Sequence, residues 1–271
     1  MAPAYGQHEM VKLTRLVRHE DMMTRDKALV ALQTALQKPQ LRASGVHSGL
    51  VPALQGNLED ESMMVRAHTA NAFDALATHP LGSAAIVADG THVEILKLID
   101  DSEDTVRVAA YGALISLAKS VAGAPAGEGW SANSQVAGGG GGAGALNDIP
   151  QCVSKLVSKC LYETEQLQPF ALELLGVLLQ QTKGVDLALL SVPGGIDTMN
   201  VLLDSENSSV RQKAANNLSA LTFPAHAKPM AKDCGVIEKL VKLLKDMDFQ
   251  TRAAVRALPL SHALLILWLA L

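Results

Sequence analysis

The sequence predicts an all-α protein, a right-handed α-solenoid of about six units, and three observations predict it. One phrase recurs at a fixed step. It runs from Gly90 to Leu117, GTHVEILKLIDDSEDTVRVAAYGALISL: a glycine, a short apolar helix, an acidic turn, then an arginine that opens an alanine-rich helix. Counted on that arginine, the phrase returns at Arg25, Arg66, Arg107, Arg211 and Arg252, and the steps 25 to 66, 66 to 107 and 211 to 252 are each 41 residues. The second observation is that Gly49, Gly90, Gly194 and Gly235 all stand 17 residues before their arginine, a register that chance does not produce. The third is composition. Apolar residues make up 48% of the 271-residue chain and aromatics only 3%, so Ala, Leu and Val carry the core, as helix-on-helix packing requires. Units of this size bury their apolar faces by stacking on their neighbours.

Residues 8–120 hold repeats one to three. In repeat one, Leu13, Leu16 and Val17 form one apolar stripe and Ala28, Leu29 and Leu32 the next, at the three- and four-residue spacing of amphipathic helices. Asp21 is placed to cap the helix that Thr24 and Arg25 open. Repeat two carries Val51, Leu54 and Leu58 after Gly49, then Ala70, Phe73 and Leu76 after Arg66; Pro52 lies in a first helical turn, where its missing N–H does no harm. Repeat three adds a leading element outlined by Pro80, Gly82, Ile86 and Gly90. Three helices per unit and a period just over 40 point to armadillo units rather than two-helix HEAT units.

Residues 121–148 break the pattern. VAGAPAGEGWSANSQVAGGGGGAGALN is Gly, Ala and Ser with one Trp130, and it reads as a disordered loop inserted between repeats three and four. No Gly-Lys-Ser/Thr follows Gly138 to Gly142, so a phosphate-binding loop is excluded.

Residues 149–258 hold repeats four to six. Repeat four is degenerate: Gln168 takes the arginine's place, and the gap from 107 to 168 exceeds one repeat by 20 residues. Repeat five is regular, with Ile196, Met199 and Leu202, then Arg211, Ala214 and Leu218. Repeat six begins well at Gly235 and Ile237 but breaks after Arg252. Residues 259–271, PLSHALLILWLAL, form an atypical hydrophobic tail too short to span a bilayer. Of a fold-back cap and an unrelated sequence joined at an incorrect exon boundary, the second reading is favoured, because a terminal repeat should be polar outside.

A formal charge of −4 leaves no basic footprint for phosphate, so nucleic acid is excluded as a partner. The N-terminus has no apolar signal core. Cys152, Cys160 and Cys234 are odd in number and lack CxxC spacing; they read as reduced thiols, the first two as small buried hydrophobes. Eight scattered histidines make no HExxH or Cys/His spacing, and no GxSxG occurs, so the expectation is no catalysis, no metal, no cofactor and no small-molecule substrate. The recurring arginines follow acids by four to six residues, as Asp101 and Glu103 precede Arg107. They read as turn-locking exposed pairs within or between repeats, each stabilising by about 0.2–1 kcal/mol.

Armadillo proteins that bind extended peptides carry an asparagine nine residues after this arginine; here the positions are Thr34, Ala75, Ser116 and Ala220. That absence counts against a soluble adaptor of the import or catenin type, which is the alternative function. Asn216 and Asn217 occur in one repeat and read as surface or capping residues.

The phrases HEDMMTRDKALVALQTAL, LEDESMMVRAHTANAFDALATHPLGSAAIV, SSVRQKAANNLSALT and GVIEKLVKLLKDMDFQTRAAV, in that order, resemble the radial spoke protein 14 family of ciliary and flagellar armadillo-repeat proteins, over about Val11 to Leu258. The resemblance implies a non-catalytic structural subunit of the axonemal radial spoke, with other axonemal proteins as partners and the cytoskeleton of the cilium or flagellum as its location. It also implies further repeats where LSHALLILWLAL stands, so the chain reads as truncated or mis-spliced relative to that family.

Overall fold

The structure, a computed structural model, describes residues 6–120 and 141–258. Among the described residues every regular element is helical. The first copy of the repeat contributes α1 (Gly6–Leu16) and α2 (Met22–Leu36). The next two are complete triplets: α3 (Pro39–His47), α4 (Leu50–Gln55) and α5 (Met63–Ala77), then α6 (Pro80–Ala88), α7 (Thr91–Lys97) and α8 (Asp104–Lys119). Beyond residue 140 the triplets are α9 (Gly141–Asp148), α10 (Cys152–Tyr162) and α11 (Gln168–Leu178); α12 (Thr182–Leu189), α13 (Gly195–Leu202) and α14 (Ser208–Leu221); and α15 (Ala227–Asp233), α16 (Val236–Leu243) and α17 (Phe249–Arg256).

Local chemistry sets the boundaries. Asp21 accepts from the Thr24 backbone N–H at 2.9 Å and its hydroxyl at 2.6 Å, and Asp248 does the same for Thr251 at 2.6 and 2.8 Å. Each satisfies an orphan donor of the first turn. Pro39, Pro80 and Pro169 open α3, α6 and α11, where no intrahelical N–H is lost. Gly90, at φ +77°, turns the chain from the first helix of its copy into the second, and Gly49 and Gly235 repeat it at +73° and +70°. Gly194 differs. It is extended (φ −65°, ψ 143°) after a cis Val192–Pro193 bond, so its place in the 17-residue register does not carry the same backbone turn. In repeat four that left-handed position is filled by Gln151, at φ 64°.

The chain forms two compact units, Met1–Ile149 and Pro150–Leu271. In the first, α5 packs between α2 and α8. Their inward faces bury Leu29, Leu32, Phe73, Leu76, Tyr111 and Leu114 completely. In the second, α14 packs between α11 and α17, with α10 against α11, around Leu156, Leu175, Leu178, Leu218 and Val255. Full burial of one such side chain stabilises by about 1.5–3 kcal/mol, and the third helices supply a large share of each core.

The glycine-rich segment requires a correction. The loop expected over 121–148 does not reach that far: residues 141–148 are α9, which packs on α8 and α6 with Ala143 and Leu146 buried. Gly142 is not linker material. A Cβ there would overlap the Leu117 carbonyl oxygen, as one at Gly82 would overlap that of Leu76, ten residues after Arg107 and Arg66 respectively. Gly142 is therefore the copy of Gly82, and α9 is the leading helix of repeat four. Residues 121–140, Trp130 included, and the tail at 259–271 lie outside the described residues.

Candidate protein-interaction surface

The arginines form a ladder that runs between copies. The Arg66 guanidinium donates through Nη1 to the carbonyls of Asp60 and Glu61, at 2.8 and 3.1 Å, closing its own turn. Its Nε and Nη2 donate in parallel to both Asp101 oxygens, 35 residues on, at 2.7 and 2.9 Å. Arg211 does the same, closing on Ser205 and Glu206 and reaching both oxygens of Asp246 at 2.8 and 2.9 Å. Arg25 closes on His19 and Glu20 and meets Asp60. Each receiving aspartate also accepts a backbone N–H of its own turn, from Ser62, Glu103 or Asp248. The copy after Arg107 has Tyr162 where Asp60, Asp101 and Asp246 stand, and Arg107 pairs with Asp104 in its own helix. Arg252 closes on Asp246 and Met247 and lies 5.7 Å over the Phe249 ring.

These pairs are not the exposed ones expected from sequence. The carboxylates of Asp60, Asp101 and Asp246 retain 8%, 9% and 7% of their side-chain exposure, which raises the worth of each contact, single-pronged from Arg25 and two-pronged from Arg66 and Arg211. Arg211 holds the Asp246 carboxyl below the usual carboxylate range and is itself raised by that bond. Burial pushes Asp101 up, but the Arg66 guanidinium and the Glu103 N–H outweigh it and hold the carboxyl low.

With the copies tied at their turns, the third helices present a second polar series. His68 meets Asp26 at 2.8 Å, Ser116 donates to Asp74, and Lys213 pairs with Glu173 at 2.7 Å. Thr34 is exposed and bonded to its own Val30 carbonyl, while Ala75, Ser116 and Ala220 are half-buried. In the second unit α11 and α14 line an open cavity of about 810 Å³ that includes Glu173, Gly176, Lys213, Asn216, Ala220 and Phe223. Asn217 corrects the sequence reading. It is buried and donates to the Leu172 carbonyl at 3.0 Å, with its oxygen where a Cβ on Gly176 would stand. Asn216 alone is exposed, and Phe223 at the cavity wall keeps 78% of its surface.

The cysteines are separate residues of different kinds. Cys152 and Cys160 are buried in α10, and burial pushes the Cys152 thiol up to about 12 and Cys160 higher still. Half-buried Cys234 donates to Asp197 at 2.9 Å, a bond that, with burial, raises its thiol to about 11. None is an activated thiolate. Among the described residues no cluster of three His, Cys, Asp or Glu is placed to hold a metal ion, and no helix is long and apolar enough to cross a membrane.

No family model matches the chain. Solved structures do. An engineered protein superposes with a TM-score of 0.77 at 23% identity, over 94% of this chain and 97% of its own. A designed armadillo repeat protein in complex with the peptide (KR)4 gives 0.75 at 16%, over 92% and 97%. A computationally designed armadillo repeat protein for modular peptide recognition gives 0.71 at 17%, over 92% and 97%. With the triplets and the arginine ladder, these likenesses establish the fold as an all-α solenoid of armadillo-type repeats.

Proposed function

We propose that this chain is a non-catalytic, protein-binding scaffold and, more narrowly, a structural subunit of the axonemal radial spoke. The observation that carries the scaffold reading is the ladder from Arg25, Arg66 and Arg211 to Asp60, Asp101 and Asp246. It spends the recurring charges on spacing the copies, and in the second unit α11 and α14 leave an open cavity of about 810 Å³ for a partner to occupy. Affinity on such a surface comes from many modest contacts held at a rigid spacing. The spoke assignment is supported by the four phrases from His19 to Val255 that resemble the radial spoke protein 14 family.

The alternative, a soluble import- or catenin-type adaptor, has Asn216 on the open face in its favour and Thr34, Ala75, Ser116 and Ala220 against it. Fractionation of salt-extracted axonemes separates the two. A spoke subunit co-sediments with spoke particles; a diffuse cytosolic or nuclear pool with no axonemal fraction overturns the spoke reading.

A further inference from the structure

We propose that the first unit carries a second docking surface, at the edge where its third helices begin, that takes a basic amphipathic helix of a partner protein. Met22 and Met23 are the first two residues of α2, and Met63 and Met64 the first two of α5. They hold the same positions in consecutive copies, three and two residues before Arg25 and Arg66. All four are exposed, at 42%, 54%, 42% and 45%. Helices α2 and α5 pack together, and the Arg25–Asp60 rung ties the start of one to the turn before the other. The two pairs therefore sit about one helix spacing, roughly 8–10 Å, apart. A single exposed apolar residue calls for no explanation, but four in adjacent copies form a patch. Methionine's unbranched thioether also moulds to varied apolar partners.

Charge selects the occupant. Glu20 and Asp21 precede the first pair, Glu61 lies just before the second, and Glu103 and Asp104 stand at the corresponding turn of the next copy, all exposed. Arg25 and Arg66 are held by turn carbonyls and by Asp60 and Asp101 of the following copies, while Arg107 pairs with Asp104, so the acid charge of this edge comes from Glu20, Asp21, Glu61 and Glu103. The exposed cations nearest in sequence, Arg18 and Lys27, are outnumbered by the acids. A matching partner presents an apolar stripe flanked by Lys or Arg. A helix matches the spacing, because residues seven apart on one helical face, two turns or about 10.5 Å along the axis, reach both methionine pairs. The proposal does not depend on the spoke assignment.

The test uses the full chain carrying ¹³C-methyl methionine and, as probe, a fluorescein-labelled peptide of two Leu-Lys-Lys-Leu-Leu-Lys-Leu heptads. The expected result is saturable binding by anisotropy, weakened by added salt, with methyl shifts confined to Met22, Met23, Met63 and Met64. The combined variant Met22→Gln, Met23→Gln, Met63→Gln and Met64→Gln should bind at least about tenfold more weakly, the loss typical of removing central apolar anchors. Should that variant melt early, the Met22→Gln, Met23→Gln pair and the wild-type methyl shifts decide instead. Absence of binding overturns the proposal. So do undiminished binding by the folded variants, shifts centred on Met199, Met230 or Met247, and equal binding of the peptide with Glu in place of Lys. If the same four methyls shift with protein concentration in the absence of peptide, the occupant is a second copy of the chain and the proposal fails.

Discussion

The charges that recur along the chain act through geometry. Asp246 accepts both prongs of Arg211 and a backbone N–H of its own turn, so Asp246→Asn removes one charge-assisted contact and weakens another. We expect a loss of about 2 kcal/mol at neutral pH, read from urea denaturation. The pH dependence has a definite sign. The folded-state value of Asp246 lies below its ordinary 3.8, so its stabilisation is complete above 3.8 and disappears as pH falls through the lower folded value. The gap between wild type and Asp246→Asn should accordingly close on acidification below about 3.8; a gap that widens there refutes the pairing. At the thiols, Cys234 should be the first cysteine alkylated in the native protein, because Cys152 and Cys160 are buried. With its thiol at about 11, Cys234 should still react more slowly at pH 8 than a free thiol, and Asp197→Asn should speed it. Mass spectrometry of timed iodoacetamide reactions checks all three sites.

At the scale of the element, α9 shows how a composition signal misleads. Gly142 and Gly144 lie in a segment whose residues look like a linker, yet Ala143 and Leu146 are buried against neighbouring helices. Only the path of α8 shows why position 142 takes glycine: the Leu117 carbonyl occupies the space a side chain would need. Gly142→Ala should cost about 1–3 kcal/mol through overpacking. Amide exchange should rise first in residues 143–148, whereas uniform loss of protection across the first unit would show that α9 is not a separable element. Gly56, where a Cβ would meet only open space, supplies the neutral control.

For the whole molecule, the excess of 20 residues between Arg107 and Gln168 coincides with the stretch between α8 and α9. Removing residues 121–139 restores nearly the spacing of the other copies. Since shortening a connection lowers its closure entropy only slowly with length, helicity by circular dichroism should persist and Tm should hold or rise by a few degrees. A collapse of helicity would mean that the segment supplies contacts the repeats need. In a stacked array each interface adds its own term, so Asp101→Asn should weaken the first unit and leave exchange in α14 and α17 unchanged.

Periodicity was enough to read the repeat register, the apolar faces of Leu29, Leu76 and Leu218, and the cap at Asp21, because each depends on residues within a turn or two of one another or on a fixed step along the chain. Other features depended on how one copy is translated onto the next. The spacing of acids before arginines marks Asp101 and Glu103 ahead of Arg107 but leaves open pairing within or between repeats; stacking hands Asp101 to Arg66 and leaves Arg107 the Asp101 carbonyl and Asp104. The same translation buries Asn217 under α11 and packs α5, which opens with Met63 and Met64, against α2, which opens with Met22 and Met23. A one-dimensional repeat specifies what each helix offers; only the packing of neighbours decides what meets it.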